Sequence, residues 1–192
     1  MIRLAILGST RGTNLSALAE AIESGKLKAS IELVVTNKPD ALILERARSH
    51  RLRAQFIDPT ELSRDDYDAR VTSALKSYEI DLIVLIGYMR ILSPTFVREW
   101  EHKIINVHPS LLPSFAGLMD LAVHEAVLAS GVSETGCTVH YVTEEVDAGP
   151  ILLQKRCTVR TTDTAQHLKE RVQQLECVAL VDAIAYIENT SG

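Results

Sequence analysis

The run Asp81-Leu82-Ile83-Val84-Leu85-Ile86 is apolar at every position after the aspartate. A strand that can afford no polar residue has both faces covered, and such strands belong to parallel sheets lying between helices. Outward from it, short apolar runs alternate with longer amphipathic ones, the pattern of βαβ units. Upstream, residues 3–7 predict a first strand and residues 14–22 a helix that Gly25 ends. Residues 31–35 predict a second strand, followed by a helix from about 40 through 48 and a short strand at 55–57. In Ser63-Arg64-Asp65-Asp66 a serine precedes an acid by three residues, which marks a helix start. Tyr67, Val71, Ala74 and Leu75 give that helix its buried stripe. Downstream, residues 103–108 predict a strand stopped by Pro109, and residues 137–142 and 151–159 two long strands joined by a turn at 147–150. A long closing helix spans 164–187, with Leu168, Val172, Leu175, Val178, Val181 and Ile184 on one stripe. The fold class this predicts is α/β, a doubly wound and mostly parallel sheet.

The chain has 192 residues, 46% hydrophobic and 23% charged, which suits a single domain over 1–192 with a full core. Disorder, collagen-like repetition and a disulfide scaffold are excluded. A net charge of -5 argues against a nucleic-acid partner but leaves room for an anionic small substrate in a locally positive pocket. Cys137, Cys157 and Cys177 are odd in number and far apart, without metal-binding spacing, which predicts free thiols in a reducing cytosol. Met1 leads straight into Ile2-Arg3-Leu4-Ala5-Ile6-Leu7-Gly8, with no signal-peptide pattern, and no apolar run reaches the ~20 residues that span a bilayer. The expectation is a cytoplasmic protein with no membrane partner.

In an open parallel sheet, ligands bind beyond the carboxyl ends of the strands. Gly8-Ser9-Thr10-Arg11-Gly12-Thr13-Asn14 runs from the first strand into the first helix. A helix start offers unpaired N–H groups and partial positive charge, so this loop is either a site for one phosphate monoester or an ordinary tight turn. It is neither GxGxxG nor a P-loop, and Thr36-Asn37-Lys38 lacks the acid that holds a dinucleotide ribose. In Asn106-Val107-His108-Pro109, side chains two apart share a strand face. Asn106 and His108 therefore either act together on a carbonyl, as oxyanion donor and proton carrier, or stabilise the loop. Asp147, before Ala148-Gly149-Pro150, reads by itself as a turn former. Gly87-Tyr88-Met89-Arg90-Ile91-Leu92-Ser93-Pro94 offers a backbone edge to a flat heterocycle, or opens a short helix through Trp100.

Taken together these segments resemble the folate-dependent phosphoribosylglycinamide formyltransferases over nearly the whole chain. The resemblance rests on Gly12-Thr13-Asn14-Leu15, Thr36-Asn37-Lys38, Leu44-Glu45-Arg46-Ala47, Met89-Arg90-Ile91-Leu92-Ser93-Pro94, Asn106-Val107-His108-Pro109-Ser110-Leu111-Leu112-Pro113 and Asp147-Ala148-Gly149-Pro150-Ile151. It implies a Rossmann-like formyltransferase fold and formyl transfer from 10-formyltetrahydrofolate, a co-substrate, to glycinamide ribonucleotide, with no tightly bound cofactor and no metal. It assigns Asn106, His108 and Asp147 as the catalytic trio and Gly12, Thr13 and Asn14 as the phosphate loop. Met89, Arg90, Ile91 and Leu92 become the backbone wall of the folate pocket, with Arg64 and Val142 also on the folate side and Glu176 near the substrate amine. Alone, Arg64 and Glu176 read as solvated helix charges. Asp147 is expected to raise the pKa of His108 by favouring the charged ring.

The chain departs from the family pattern at three places. The segment 117–124 is longer than usual, leaving His124 unassigned; Ile43 stands where a glycine is common, with more effect on the second helix than on the site; and Asn189-Thr190-Ser191-Gly192 leaves out a last short strand. Methionyl-tRNA formyltransferases share the trio but carry a further C-terminal domain, and formyltetrahydrofolate hydrolases an N-terminal one. A non-catalytic phosphoribosyl-ligand sensor needs the glycine loop but not the trio. The oligomeric expectation is monomer or homodimer.

Overall fold

The computed structural model describes residues 1–190; Ser191 and Gly192, the end of the 189–192 stretch discussed above, lie outside the described residues. In chain order the elements are β1 (Ile2–Gly8), α1 (Thr13–Glu23), β2 (Ala29–Thr36), α2 (Ile43–Ser49), β3 (Ala54–Phe56), α3 (Arg64–Lys76) and β4 (Leu82–Ile86). They continue with α4 (Pro94–Glu99), β5 (Ile104–His108), α5 (Leu121–Ser130), β6 (Glu134–Tyr141), β7 (Ile151–Thr158) and α6 (Ala165–Thr190). The strands form one sheet in the order β3-β2-β1-β4-β5-β6-β7. β1 to β5 run parallel; β6 and β7 form the expected pair of long strands joined by a turn, and β6 also runs antiparallel to β5.

The apolar β4 is explained by what covers it. Leu82, Val84 and Ile86, with Leu4 and Ile6 of β1, pack into a cluster with Leu15 and Leu18 of α1 and the inner stripe of α6. Ile83 and Leu85, with Ala5 and Leu7, face the other way onto Tyr67, Val71 and Leu75 of α3 and Phe96 of α4. Each such side chain contributes ~1.5–3 kcal/mol through burial. A polar residue anywhere in β4 therefore meets a core.

Local signals behave as their chemistry dictates. Ser63 caps α3, its hydroxyl accepting the Asp66 N–H at 3.1 Å, and Ser93 caps α4, accepting from Phe96 at 3.2 Å with Pro94 in the first turn. α2 begins three residues later than the expected start at 40, because the Ala41 N–H turns back onto the Lys38 carbonyl. α5 carries no sequence signal: in Leu121-Ala122-Val123-His124-Glu125-Ala126-Val127-Leu128 apolar residues lie around the whole axis, so no stripe marks a helix.

From β1 the chain moves outward to β2 and β3 on one side, then returns to place β4 and β5 on the other. The strand order thus reverses between β1 and β4. Their carboxyl ends, Gly8 and Ile86, diverge into a crevice beside His108, the last residue of β5.

Candidate active site

A cavity of about 550 Å³ occupies that crevice. Its walls bring together the loop 10–14, the segment 85–92, Asn106 to Pro109, the loop 117–120, and Val142 to Asp147. Gly12, Thr13, Asn14, Met89, Arg90, Ile91, Leu92, Asn106, His108, Val142, Asp147 and Glu176 all line it. Arg64 does not. It lines a shallow adjoining hollow with Met89, Arg90 and Ile91.

The loop after β1 owes its shape to Gly12, which sits at φ +67° and precedes the first turn of α1. A Cβ there would lie 2.5 Å from Cγ1 of Ile43, in a backbone conformation that side chains disfavour. Ile43, fully buried, thus packs against the back of this loop, and its N–H donates to the Thr10 carbonyl at 3.2 Å. This corrects the expectation that Ile43 concerns α2 more than the site. The Asn14 side chain is committed elsewhere: its Nδ2 donates to Glu176 at 3.1 Å, and the Cys177 thiol donates to its Oδ1 at 3.0 Å. What the helix start offers a ligand is therefore backbone N–H groups, which have no partner inside the helix. Burial pushes the Glu176 carboxyl up to about 7 against the opposing pull of Asn14.

Opposite this loop, the wall 88–92 is pinned from β1. The Ser9 hydroxyl accepts the Met89 N–H at 2.9 Å and donates to Asn37. The Arg90 guanidinium turns away from the cavity to lie 4.2 Å from the centroid of the Tyr67 ring, leaving backbone as the wall's recognition surface.

The third group comes from β5 and the turn before β7. Asp147, at φ +55°, directs its carboxylate at two rings: Oδ2 lies 3.3 Å from Nδ1 of His108, and Oδ1 lies 3.7 Å from Nε2 of His140. The Gly117 N–H donates to Oδ2 at 2.8 Å and fixes it further. His108 is 4% exposed and His140 2%. Nε2 of His108 faces the Phe115 carbonyl at 3.2 Å, so both nitrogens of that ring point at acceptors, an environment that suits the protonated form. Burial nevertheless sets the net direction: the His108 pKa lies below its usual value, with Asp147 and Phe115 pulling upward against it. The expected rise is thereby corrected. Desolvation of a nearly inaccessible imidazolium outweighs one carboxylate.

His140 lies in the segment 139–147 that the family resemblance sets over the folate, with no role of its own expected there, yet it holds Asn106. Its Nδ1 donates to the Tyr141 carbonyl at 2.9 Å, which leaves Nε2 as acceptor for the Asn106 amide Nδ2 at 3.3 Å. Burial keeps this ring neutral by lowering its pKa. The pairing follows from the register Asn106↔His140 across the β5–β6 ladder. An antiparallel register between strands 34 residues apart leaves no local trace in sequence. His124 also lines the cavity, buried, with an unpartnered Nδ1 and a pKa lowered to about 4 by burial. Lys169 and Gln173, two turns and one turn before Glu176 on α6, complete the wall.

Fold and site together define a doubly wound α/β protein whose switch-point crevice holds an amide, an imidazole and a carboxylate beside a helix start that presents backbone N–H groups, an arrangement equipped for chemistry on a carbonyl. The chain belongs to the formyl transferase family, whose model matches residues 2–184. It is 39% identical over 180 residues to the phosphoribosylglycinamide formyltransferase of Escherichia coli, covering 91% of this chain and 82% of that protein. The crystal structure of glycinamide ribonucleotide transformylase 1 from Symbiobacterium toebii superposes with a TM-score of 0.92 at 38% identity, covering 96% of this chain and 86% of that one. The chain is also 43% identical over 187 residues to the trifunctional purine biosynthetic protein adenosine-3 of Gallus gallus, covering 97% of this chain but spanning only 18% of that relative's length.

Proposed function

We propose that this chain, as a single formyltransferase domain, transfers the formyl group of 10-formyltetrahydrofolate to the amine of glycinamide ribonucleotide. The observation that carries the reading is the convergence of Asn106, His108 and Asp147 on the cavity that the Gly12 loop also lines. The relatives named for this reaction support it. In this reading the ribonucleotide phosphate sits on the N–H groups of Gly12, Thr13 and Asn14, and Glu176 faces the same substrate. The folate lies against the backbone of Met89, Arg90, Ile91 and Leu92, with Val142 and Arg64 on its side. The folate is a co-substrate, and the chain works in the cytosol without a resident cofactor.

The substrate amine, with an ordinary α-amino pKa of ~7.7–8.0, is partly protonated at neutral pH and loses its proton before attack. Its nitrogen forms the bond to the formyl carbon, and the oxygen becomes an oxyanion. The free hydrogen of the Asn106 amide donates to that oxygen, the other being held by His140. His108, protonated at both nitrogens in the complex so that Nδ1 keeps Asp147, supplies a second donor from Nε2 once the formyl oxygen replaces the Phe115 carbonyl. The developing oxyanion favours the charged ring that burial disfavours in the free protein. Each donor of this kind is worth ~3 kcal/mol in the transition state. The attacking nitrogen, now a cation carrying two hydrogens, gives up a second proton through Asp147, the first having gone to solvent. The bond from carbon to the folate nitrogen breaks, and that nitrogen takes up this second proton, leaving a neutral formamide. The test is release of tetrahydrofolate with and without ribonucleotide. Release that requires ribonucleotide supports the transferase; release without it identifies a hydrolase, and binding without turnover a sensor.

A further inference from the structure

Lys169, Gln173 and Glu176 are spaced i, i+4 and i+7 on α6, so they form one stripe, and all three face the cavity that the loop 11–14 also lines. Among the described residues lining that cavity, five carboxylates (Asp120, Glu144, Glu145, Asp147, Glu176) stand against three cations (Arg11, Arg90, Lys169). Arg90 is occupied by the Tyr67 ring. With Arg90 so held, Arg11 alone stands with Lys169 against the five carboxylates, and one guanidinium does not balance a phosphate dianion entering this surface unless a further cation turns to it.

Lys169 is that cation, and its present partner is a solvent-exposed carboxylate. Its ammonium pairs with the carboxylate of Asp120. Asp120 stands at the helix-entry position of α5, where an aspartate ordinarily caps the helix with its side chain; here it makes no such cap, sits at φ 52°, ψ -129°, and points its carboxylate at Lys169 instead. The Asp120 side chain is 65% exposed and that of Lys169 30%, and ion pairs this exposed exchange readily. A phosphate carries more charge than a carboxylate and more acceptor oxygens, so it competes well for the same ammonium.

We propose that Lys169 is a substrate-binding residue of the phosphate subsite. It rests on Asp120 in the free protein and transfers to the phosphate monoester of the ribonucleotide when that enters, with Asp120 acting as the internal competitor. The proposal rests on the functional reading above and extends it to a residue outside the glycine loop. It gives Lys169 and Asp120 opposite effects on binding, whereas a pair that merely straps the loop 117–120 to α6 gives them the same effect.

The experiment is calorimetric titration of glycinamide ribonucleotide into the folate-free protein, comparing wild type with Lys169→Met, Lys169→Arg and Asp120→Asn. Loss of the charged hydrogen bond in Lys169→Met weakens binding about tenfold or more. Lys169→Arg, which keeps the charge, stays within about threefold of wild type. Asp120→Asn, which frees the ammonium, tightens binding by about two- to fivefold. Unchanged binding in Lys169→Met, or weakening in both Lys169→Met and Asp120→Asn, overturns the role given to Lys169 and leaves the transferase reading intact. A wild-type protein that does not bind the ribonucleotide overturns that reading, and this inference with it.

Discussion

Asn106 and His140 face each other across the β5–β6 ladder, and the neutral ring of His140 determines which way the amide points. With Nδ1 tied to the Tyr141 carbonyl, Nε2 can only accept, so one amide hydrogen is held and the other is left free, which the proposed function gives to the formyl oxygen. Replacing Asn106 with Ala removes an oxyanion donor and is expected to lower kcat by ~10²–10³ with little change in either KM. Because His140 acts through Asn106, His140→Asn in the Asn106→Ala background adds little further loss, a non-additivity that steady-state kinetics on the double variant reads directly. Equal, independent losses contradict the positioning role.

At the scale of elements, the crevice is built from loops whose shape is enforced from behind. Gly12 needs φ +67° and the space that Ile43 leaves. Gly12→Ala is expected to cost ~1–3 kcal/mol in unfolding free energy. It should also raise the KM for ribonucleotide at least tenfold while leaving that for folate unchanged; parallel changes in both KM values contradict the placement of the phosphate. The strands and most helices were legible in sequence, because a core on both faces writes itself into β4 and one covered face into α3 and α6. α5 was not, since its apolar residues encircle the axis. The same division holds at the site. Asn106, His108 and the Gly12 loop are local patterns, and Asp147 stood out only through a family likeness. His140, the backing of the loop by Ile43 and the Lys169–Asp120 pair depend on tertiary proximity that no local pattern encodes.

At the scale of the whole molecule, three histidines among the described residues are buried with lowered pKa values, His108, His124 and His140, in each case chiefly through burial. Each binds its proton more readily in the unfolded chain, so the stability it contributes is present above ~6.5 and is lost as pH falls through the folded-state value, about 4 for His124. That shift alone is worth on the order of 3 kcal/mol. Glu176 runs the opposite way. Raised to about 7, it stabilises fully below ~4.5 and loses that contribution as pH rises through 7. Urea unfolding is thus expected to show a steep loss of stability from pH 7 to pH 4, with a shallower slope in His124→Asn; equal slopes contradict the burial of a neutral ring.

Above all these lies the convergence of an amide, an imidazole and a carboxylate, from β5 and the turn before β7, on one cavity, and the proposed function makes them act on one carbon. The most direct measurement is the rate of tetrahydrofolate formation from 10-formyltetrahydrofolate with ribonucleotide, for wild type and for Asp147→Asn. The account predicts turnover that requires ribonucleotide and falls by at least ~10² in Asp147→Asn, the scale of a lost proton-transfer group. Full turnover in Asp147→Asn contradicts it.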